Sequence, residues 1–318
     1  MASPDPRSTL ADVGEFGLIS MLTERFPQDS HVLLGPGDDA AVVAVPDGRV
    51  VVSSDMYVDG RHFRRDWASA ADIGHRVAAA NLSDLNAMGG TATALTVSLA
   101  APADLDLSWV LELAEGIAEE AGLVGACVVG GDLSSAGTIV VAVTALGSVE
   151  GAPVTRGGAR PGDVVAIAGR QGWAAAGLAV LGRGFRSPRV LVDAFRRPEP
   201  PYQAGRSAAA AGATSMIDVS DGLLADLGHI AEASHVAIDV IPDSLEISEP
   251  LQAVASATGA DPLTFVLGGG EDHALVATFP ADQVLPPEWN LIGSVAAGEE
   301  GVTVAGAAYE GPTGHTHF

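Results

Sequence analysis

The sequence predicts two mixed α/β domains, residues 1–148 and 149–318. Three observations lead to this fold class. The 318 residues are more than a single hydrophobic core usually needs. Short apolar runs of strand length alternate with segments whose apolar residues recur at helical spacing. Between the halves, the segment 147–162 is rich in Gly and Pro amid small polar residues, which is typical of a domain connection.

In the first half, each predicted element rests on periodicity and on a stop signal. A helix is predicted over 14–26, where apolar residues recur at helical spacing and Pro27 ends the pattern. The apolar runs 41–45 and 50–52 flank a Pro-Asp-Gly turn, which predicts a hairpin. The other predictions are helices over 70–88 and 107–122 and strands over 91–99, 124–129 and 138–146.

The second half repeats this alternation. Its first elements are a strand over 164–168 and an Ala-rich helix over about 172–182. The remaining predictions are a helix ending near 211, a strand over 215–217, a helix from 223, apolar runs over 236–241, 265–267 and 274–279, and a short strand near the end.

Composition excludes several classes of function. The net charge of −24 and the pI near 4.4 argue against nucleic-acid binding, which needs a basic face. No uninterrupted apolar run reaches membrane-spanning length, and no secretory leader is visible, so we expect no membrane partner and a cytoplasmic location. The single cysteine, Cys127, lies in an apolar run and is expected to be a buried thiol.

All sixteen basic residues are arginine. A phosphate loop of the Walker type and a protein-kinase site both need a lysine, and so does Schiff-base chemistry. The sequence excludes all three mechanisms, although a coding bias accounts for the missing lysine more simply than function does.

Acidic residues recur just past apolar runs, beside Gly or Ser. They are Asp38, Asp39, Asp55, Asp132, Asp218, Asp221, Glu271 and Asp272. Any one of them could be an ordinary turn former. Because ligands bind beyond strand ends in α/β folds, the repetition indicates either turns or a shared binding site, with neither favoured.

Asp84 is the sharper signal. It falls on the apolar stripe of the predicted helix 70–88, with Asn81 one turn earlier. A buried carboxylate costs several kcal/mol unless it is paired or bound to a metal. We favour a metal ligand over an ion pair with Arg76.

The candidate ligands are oxygens, and the eight histidines are scattered. Oxygen ligands suit Mg²⁺ or Ca²⁺, and no EF-hand loop is present. Several Mg²⁺ ions can neutralise a phosphoryl group without lysine, and Gly130-Gly131 and Gly268-Gly-Gly270 allow close approach of backbone N–H groups to phosphate. Arg156 offers a forked donor for phosphate oxygens. The residues therefore predict a Mg²⁺-dependent phosphoryl-transfer or nucleotide-binding protein.

A set of motifs, in order over almost the whole chain, resembles the thiamine-monophosphate kinase family. They are GEF at 14–16, GPGDDA at 35–40, SDMYVDGRHF at 54–63, NLSDLNAMG at 81–89, GGD at 130–132, TRGGARPGD at 155–163, DVSDGL at 218–223, GGED at 269–272 and the final HF. Two of them, NLSDLNAMG and DVSDGL, are specific for the wider superfamily of aminoimidazole ribonucleotide synthetase and selenophosphate synthetase.

The resemblance implies transfer of the γ-phosphoryl group of ATP to thiamine monophosphate, giving thiamine diphosphate. It also implies an aminoimidazole ribonucleotide synthetase-like fold, whose N-terminal sheet forms a β-barrel with that of a second copy in a homodimer. The implied ligands of several Mg²⁺ ions are Asp39, Ser53, Ser54, Asp55, Asp84, Asp132, Asp218 and Asp221. The implied nucleotide contacts are Gly131, Asp132, Arg156 and Ser220, and the implied substrate contacts are His62, Glu271 and His315.

No general base is expected, because the acceptor phosphate is already ionised at neutral pH. Asp132 and Arg156 are then the residues assigned to catalysis, through the metal and the transferred charge. Two positions depart from the family pattern: His315 stands where an aromatic is usual, and His273 stands where Tyr often follows GGED. We interpret His273 as a simple substitution in a surface strand.

Two alternatives stay open. One is a superfamily enzyme with a different acceptor. The other is a protein that binds Mg²⁺ and a nucleotide without turnover.

Overall fold

The computed structural model of the chain describes residues 8–35, 41–45 and 48–315, with the backbone alone at 15 and 16. The chain divides into two compact units. The first comprises Met1–Leu85 and Thr91–Ser148, and the second comprises Asn86–Gly90 and Val149–Phe318. Asp38, Asp39 and the final His-Phe lie outside the described residues. None of the helices in the described ranges is long and apolar enough to cross a membrane.

The first unit contains three helices and six strands within the described ranges. In chain order they are α1 (Leu10–Thr23), β1 (Val32–Leu34), β2 (Val42–Val43), β3 (Val51–Val58), α2 (Ala70–Ala87), β4 (Gly90–Ala101), α3 (Leu107–Leu123), β5 (Cys127–Ser135) and β6 (Val140–Val149). The main sheet has the order β3-β6-β4-β5, with β3 and β6 antiparallel and β4 and β5 parallel. The predicted mixed sheet with helices is confirmed.

Alternate residues of β6 are buried, as expected of a sheet with one covered face. Helices α2 and α3 pack closely because each has a glycine at their crossing. A Cβ on Gly74 would lie 2.2 Å from the carbonyl oxygen of Leu113, and a Cβ on Gly116 would lie 2.1 Å from that of Ala71. The glycines allow backbone-to-backbone contact, which places α2 against α3.

Three predictions for this unit are wrong in detail. Helix α1 is broken at Gly14 (φ 68°, ψ 173°), where the predicted helix begins, and an unpredicted first part begins at Leu10, where the carboxylate of Asp12 accepts a hydrogen bond from the N–H of Thr9 (2.8 Å) and caps the first turn. Among the described residues the two apolar runs of the predicted hairpin do not pair with each other: β2 pairs with β1, and β3 pairs with β6. An apolar run does not specify its partner strand.

The third difference concerns β5, which continues through Gly130-Gly131-Asp132 to Ser135 instead of ending before these residues. A Cβ on Gly131 would lie 1.8 Å from the carbonyl oxygen of Val97 on β4. This glycine therefore permits close approach of two strands, and does not start a loop.

The second unit has a six-stranded sheet of order β12-β9-β11-β7-β10-β8, antiparallel except for β12 beside β9. Its elements are β7 (Val164–Ala168), α4 (Trp173–Gly182), α5 (Arg189–Arg196), α6 (Ala204–Ala210), β8 (Ser215–Val219), α7 (Leu223–Ser234), β9 (Ala237–Val240), α8 (Glu249–Thr258), α9 (Pro262–Gly268), β10 (Ala274–Phe279), β11 (Trp289–Ala296) and β12 (Gly301–Val304). Helices α5 and α8 were not predicted, although Pro188 and Ser248-Glu-Pro250 are recognisable starts.

Candidate functional site

In the first unit, β3 and α2 bring three predicted ligands together. Register places Ser53 and Asp55 on the same face of β3, opposite Ala145 and Val143 of β6. The Ser53 hydroxyl donates to the Asp84 carboxylate (Oγ–Oδ2 2.5 Å), and the N–H of Asp55 donates to Asn81 Oδ1 (3.0 Å). Asp84 is half-buried. Hydroxyl and carboxylate oxygens therefore gather between the strand and the helix.

The alternative partner of Asp84, Arg76, is buried with its guanidinium over the ring of Tyr57, 5.7 Å from its centre. Ser54 belongs to the other face of β3, where its hydroxyl donates to the carbonyl oxygen of Val143 (3.1 Å) and lies 2.9 Å from Thr144 Oγ1. The side chains of the three consecutive predicted ligands thus divide between two faces of the sheet.

Asp132 lies on β5, at the edge of the main sheet opposite β3. Strand β5 pairs Gly131 with Val97 and Asp132 with Ser98, and both predicted nucleotide contacts are exposed. Beyond them, Leu133, Ser134 and Ser135 line one wall of an apolar cavity of about 230 Å³ whose other walls come from α1 and β4. An exposed carboxylate and a small apolar cavity are therefore neighbours on one strand.

His62 lies in the turn that follows β3. The N–H of Val58 donates to His62 Nδ1 (3.0 Å), and the rings of His62 and Tyr57 are 5.6 Å apart. Because Nδ1 accepts, the proton of the neutral ring is on Nε2.

In the second unit, three loops bring four predicted site residues together. The N–H of Glu271 donates to the carbonyl oxygen of Ser220 (2.9 Å), and the N–H of His315 donates to that of Asp221 (3.1 Å). Glycines make this possible, because a Cβ on Gly270 would lie 2.0 Å from the carbonyl oxygen of Ser220. Glu271 has a φ of 68°, a conformation that non-glycine residues rarely adopt.

Asp218 lies within β8, next to this loop cluster. His273 Nδ1 donates to Asp218 Oδ2 (3.1 Å), and the two residues are 3% and 4% exposed, respectively. The interpretation of His273 as a surface substitution is therefore wrong: it precedes β10 and contacts a predicted ligand.

Arg156 lies at the opposite end of β8 from Ser220 and Asp221. The carbonyl oxygen of Thr155 accepts from the N–H of Met216 near the start of the strand (3.1 Å), and the carbonyl oxygen of Arg156 accepts from the Ser234 hydroxyl at the end of α7 (3.0 Å). Its own side chain is exposed.

Two buried acids beside the predicted site residues of the second unit, Asp226 and Asp272, have no individual role assigned from the sequence. Asp226 accepts from the N–H groups of Asp221 (3.1 Å) and Gly222 (3.0 Å), which fixes the turn after Ser220. The pKa of Asp226 is raised to about 7, chiefly by burial and also by the charges of Asp218 and Asp221, against the lowering effect of those N–H groups. In the sequence, the burial of Asp226 could have been predicted from its position on the apolar stripe of α7.

Asp272 is the second buried acid. Its Oδ1 accepts from the N–H of Ala174 at the start of α4 (2.9 Å), and its Oδ2 has no hydrogen-bond partner in the described part of the chain. The pKa of Asp272 is raised to about 7, because the effect of burial exceeds the lowering effect of backbone N–H groups and of the charges of Arg170 and His273.

We expect Asp272 to make the ligand-free protein less stable as the pH rises from about 4 to about 7. In this pH window the Asp272 carboxyl group is ionised in the unfolded chain but protonated in the native state. Unfolding therefore releases a proton, and a rise in pH favours it. The shift from an ordinary value to about 7 corresponds to at most about 4 kcal/mol. Asp272→Asn keeps an acceptor for Ala174, so urea unfolding of this variant should show a smaller loss of stability between pH 5 and pH 8. Equal pH dependence of both proteins would contradict this assignment.

The resemblance implies Mg²⁺, and the donors fit it. Ser53, Asp55 and Asp84 present hard oxygens from one face, which is the ligand chemistry of Mg²⁺. No group of three His, Cys, Asp or Glu side chains that could hold a metal occurs among the described residues, which omit Asp39. The assignment of the eight metal ligands stays a prediction.

This chain is similar to known proteins over nearly its whole length. The model of the AIR synthase related protein family matches with its N-terminal domain at residues 37–149 and its C-terminal domain at 160–305. Thiamine-monophosphate kinase of Mycobacterium tuberculosis is 48% identical over 98% of this chain and 93% of its own length, and that of Corynebacterium glutamicum is 39% identical over 90% and 87%.

Solved structures of similar proteins superpose on this chain. Thiamine-monophosphate kinase from Stenotrophomonas maltophilia K279a superposes with a TM-score of 0.82 at 33% identity, covering 93% of this chain and 98% of that one. AaThiL complexed with AMPPCP and TMP superposes with a TM-score of 0.81 at 32% identity, covering 98% and 99%. The hydrogenase maturation protein HypE in complex with ATP is only 18% identical, with a TM-score of 0.72 and coverage of 93% and 90%, and shares the fold.

Proposed function

The chain belongs to the thiamine-monophosphate kinase family of AIR synthase related proteins, and from this premise we propose that it uses ATP to phosphorylate thiamine monophosphate to thiamine diphosphate. The observation that carries the proposal is the match to AaThiL complexed with AMPPCP and TMP, which extends over 98% of this chain. AMPPCP is a non-hydrolysable ATP analogue, so that structure holds counterparts of both substrates.

This reaction requires no general base from the protein. The acceptor phosphate has its second pKa near ~6 and is mostly dianionic at neutral pH, so the nucleophile needs no general base. The barrier is the repulsion between two anions and their alignment for in-line attack. Mg²⁺, when bound, supplies the neutralising charge that a chain without lysine lacks.

Several of the predicted residues can be given a role in this reaction. Asp55 and Asp84, with the Ser53 hydroxyl, would hold the cation on the first unit. The Nε2–H of His62 suits an anionic oxygen of the acceptor. On the second unit, Ser220 and Arg156 would contact the nucleotide, Glu271 and His315 would contact the acceptor, and Asp218 and Asp221 would hold a cation.

We also propose that the protein is a homodimer in which the first-unit sheets of two copies form a barrel. Val52 and Met56 on the uncovered face of β3 are 60% and 57% exposed. Exposed apolar side chains on one sheet face support an interface with another sheet. The cytoplasm stays our prediction for the location.

The test is an assay of purified protein with ATP, Mg²⁺ and thiamine monophosphate, in which we expect ADP and thiamine diphosphate in equal amounts. Thiamine without its phosphate is the control acceptor and should give no product. ADP formed at the same rate without thiamine monophosphate would favour a different acceptor. Nucleotide binding without any turnover would favour the non-catalytic alternative.

A further inference from the structure

His273 and Asp218 form a buried pair at the end of the β8–β10 ladder. Leu275 is directly opposite Asp218, so His273, two residues earlier, is its diagonal neighbour on the same face of the sheet. A carboxylate only accepts hydrogen bonds when ionised, so His273 Nδ1 carries the proton in the 3.1 Å contact with Oδ2. The imidazole thus holds one oxygen of the carboxylate.

The other oxygen of Asp218 has a different environment. No hydrogen bond to Oδ1 occurs among the described residues, and Oδ1 is not one of the fully buried atoms that lack a partner, so this oxygen is accessible although the residue as a whole is only 4% exposed. Its face of the sheet continues into an apolar core that contains Met216, Leu275 and Ala277. A carboxylate beside an apolar core is stabilised by a partner of opposite charge, and an accessible oxygen with no hydrogen bond from the described residues can accept a cation.

We infer that His273 is a positioning residue that fixes the Asp218 carboxylate through Oδ2 and leaves Oδ1 directed to a divalent cation. The inference rests on the proposed function, because that is the source of the metal role of Asp218. Hydrogen bonds from neighbouring residues orient metal-binding carboxylates, and their removal typically weakens metal affinity about 10- to 100-fold.

Two amide substitutions separate positioning from mere polarity. Asparagine places its amide nitrogen close to the position of Nδ1, and it tolerates the left-handed backbone of His273, whose φ is 52°. Glutamine places its amide one bond farther, near the position of Nε2. His273→Asn should therefore retain the bond to Asp218, and His273→Gln should lose it.

The matched control is His235. It is a histidine of the same unit with a φ of 55°, and its side chain is 81% exposed and paired with Glu300. His235→Asn and His235→Gln therefore report the effect of an amide at a left-handed position away from Asp218. His273→Phe, which keeps a ring without a donor, is the second test of donor loss if the glutamine variant does not fold.

The experiment measures Mn²⁺ affinity of the full chain in the presence of ATP by electron paramagnetic resonance, together with the Mg²⁺ concentration that gives half-maximal activity. Asp218→Asn identifies the Mn²⁺ site that depends on this carboxylate. We expect that site to weaken about 10- to 100-fold in His273→Gln and less than about threefold in His273→Asn. The KM for thiamine monophosphate should stay within about twofold.

Equal Mn²⁺ affinity of wild type and all three His273 variants would overturn the inference, and so would equal weakening in the asparagine and glutamine variants. The Mn²⁺ titration needs no turnover. An inactive wild-type chain whose Mn²⁺ binding nevertheless follows the expected order would therefore reject the proposed function and retain the positioning role.

Discussion

Replacing Asp84 by asparagine is expected to lower kcat for thiamine diphosphate formation by about 100-fold or more while the protein stays folded. Asparagine keeps an oxygen that accepts from the Ser53 hydroxyl, so the contact between α2 and β3 survives. The substitution removes a negative charge from the oxygen ligands that Ser53, Asp55 and Asp84 provide. A bound cation contributes several kcal/mol of charge stabilisation, and about 1.4 kcal/mol corresponds to a factor of ten in rate.

The measurement is steady-state kinetics over a range of Mg²⁺ concentrations, with thermal unfolding of the same samples. Asp104→Asn is the matched control, because Asp104 is an exposed acid of the same unit before α3. The control should behave as wild type. Unchanged turnover in Asp84→Asn, or a loss of activity that merely follows a loss of folded protein, would refute the metal role.

The sequence was most informative where local periodicity decides the outcome. The stripe of α2 predicted that Asp84 points inward, and the helix has nearly the predicted bounds. The local sequence was less informative about where strands end, because glycine and aspartate are common loop formers. Asp55 and Asp132 lie within β3 and β5, because Gly131 permits close strand approach and Asp55 has a partner in Asn81.

Contacts distant in sequence could not be predicted in this way. The hydrogen bond between Glu271 and Ser220, and that between His315 and Asp221, depend on how three loops pack at glycines. The pairing of His273 with Asp218 depends on the register of β8 against β10. His273 directly precedes the apolar run 274–279, but the local sequence does not specify that it contacts Asp218.

The close packing of α2 on α3 predicts that Gly116→Ala destabilises the protein strongly. The added Cβ would lie 2.1 Å from the carbonyl oxygen of Ala71, so the two helices must separate. We expect the free energy of unfolding to fall by about 2 to 3 kcal/mol, because overpacking against a backbone outweighs the gain of about 1 kcal/mol from alanine's helix propensity. Urea unfolding followed by circular dichroism measures the change.

Gly122→Ala on the same helix is the matched control with the opposite sign. Gly122 is exposed, and a Cβ there would contact nothing within 4 Å. Its replacement should leave stability unchanged or raise it by up to about 1 kcal/mol. Similar shifts in both variants would show that helix propensity governs α3 and that the crossing is not tight. Because α2 carries both Asn81 and Asp84, a tight crossing also predicts that Gly116→Ala lowers activity under conditions in which it is still folded, whereas Gly122→Ala does not.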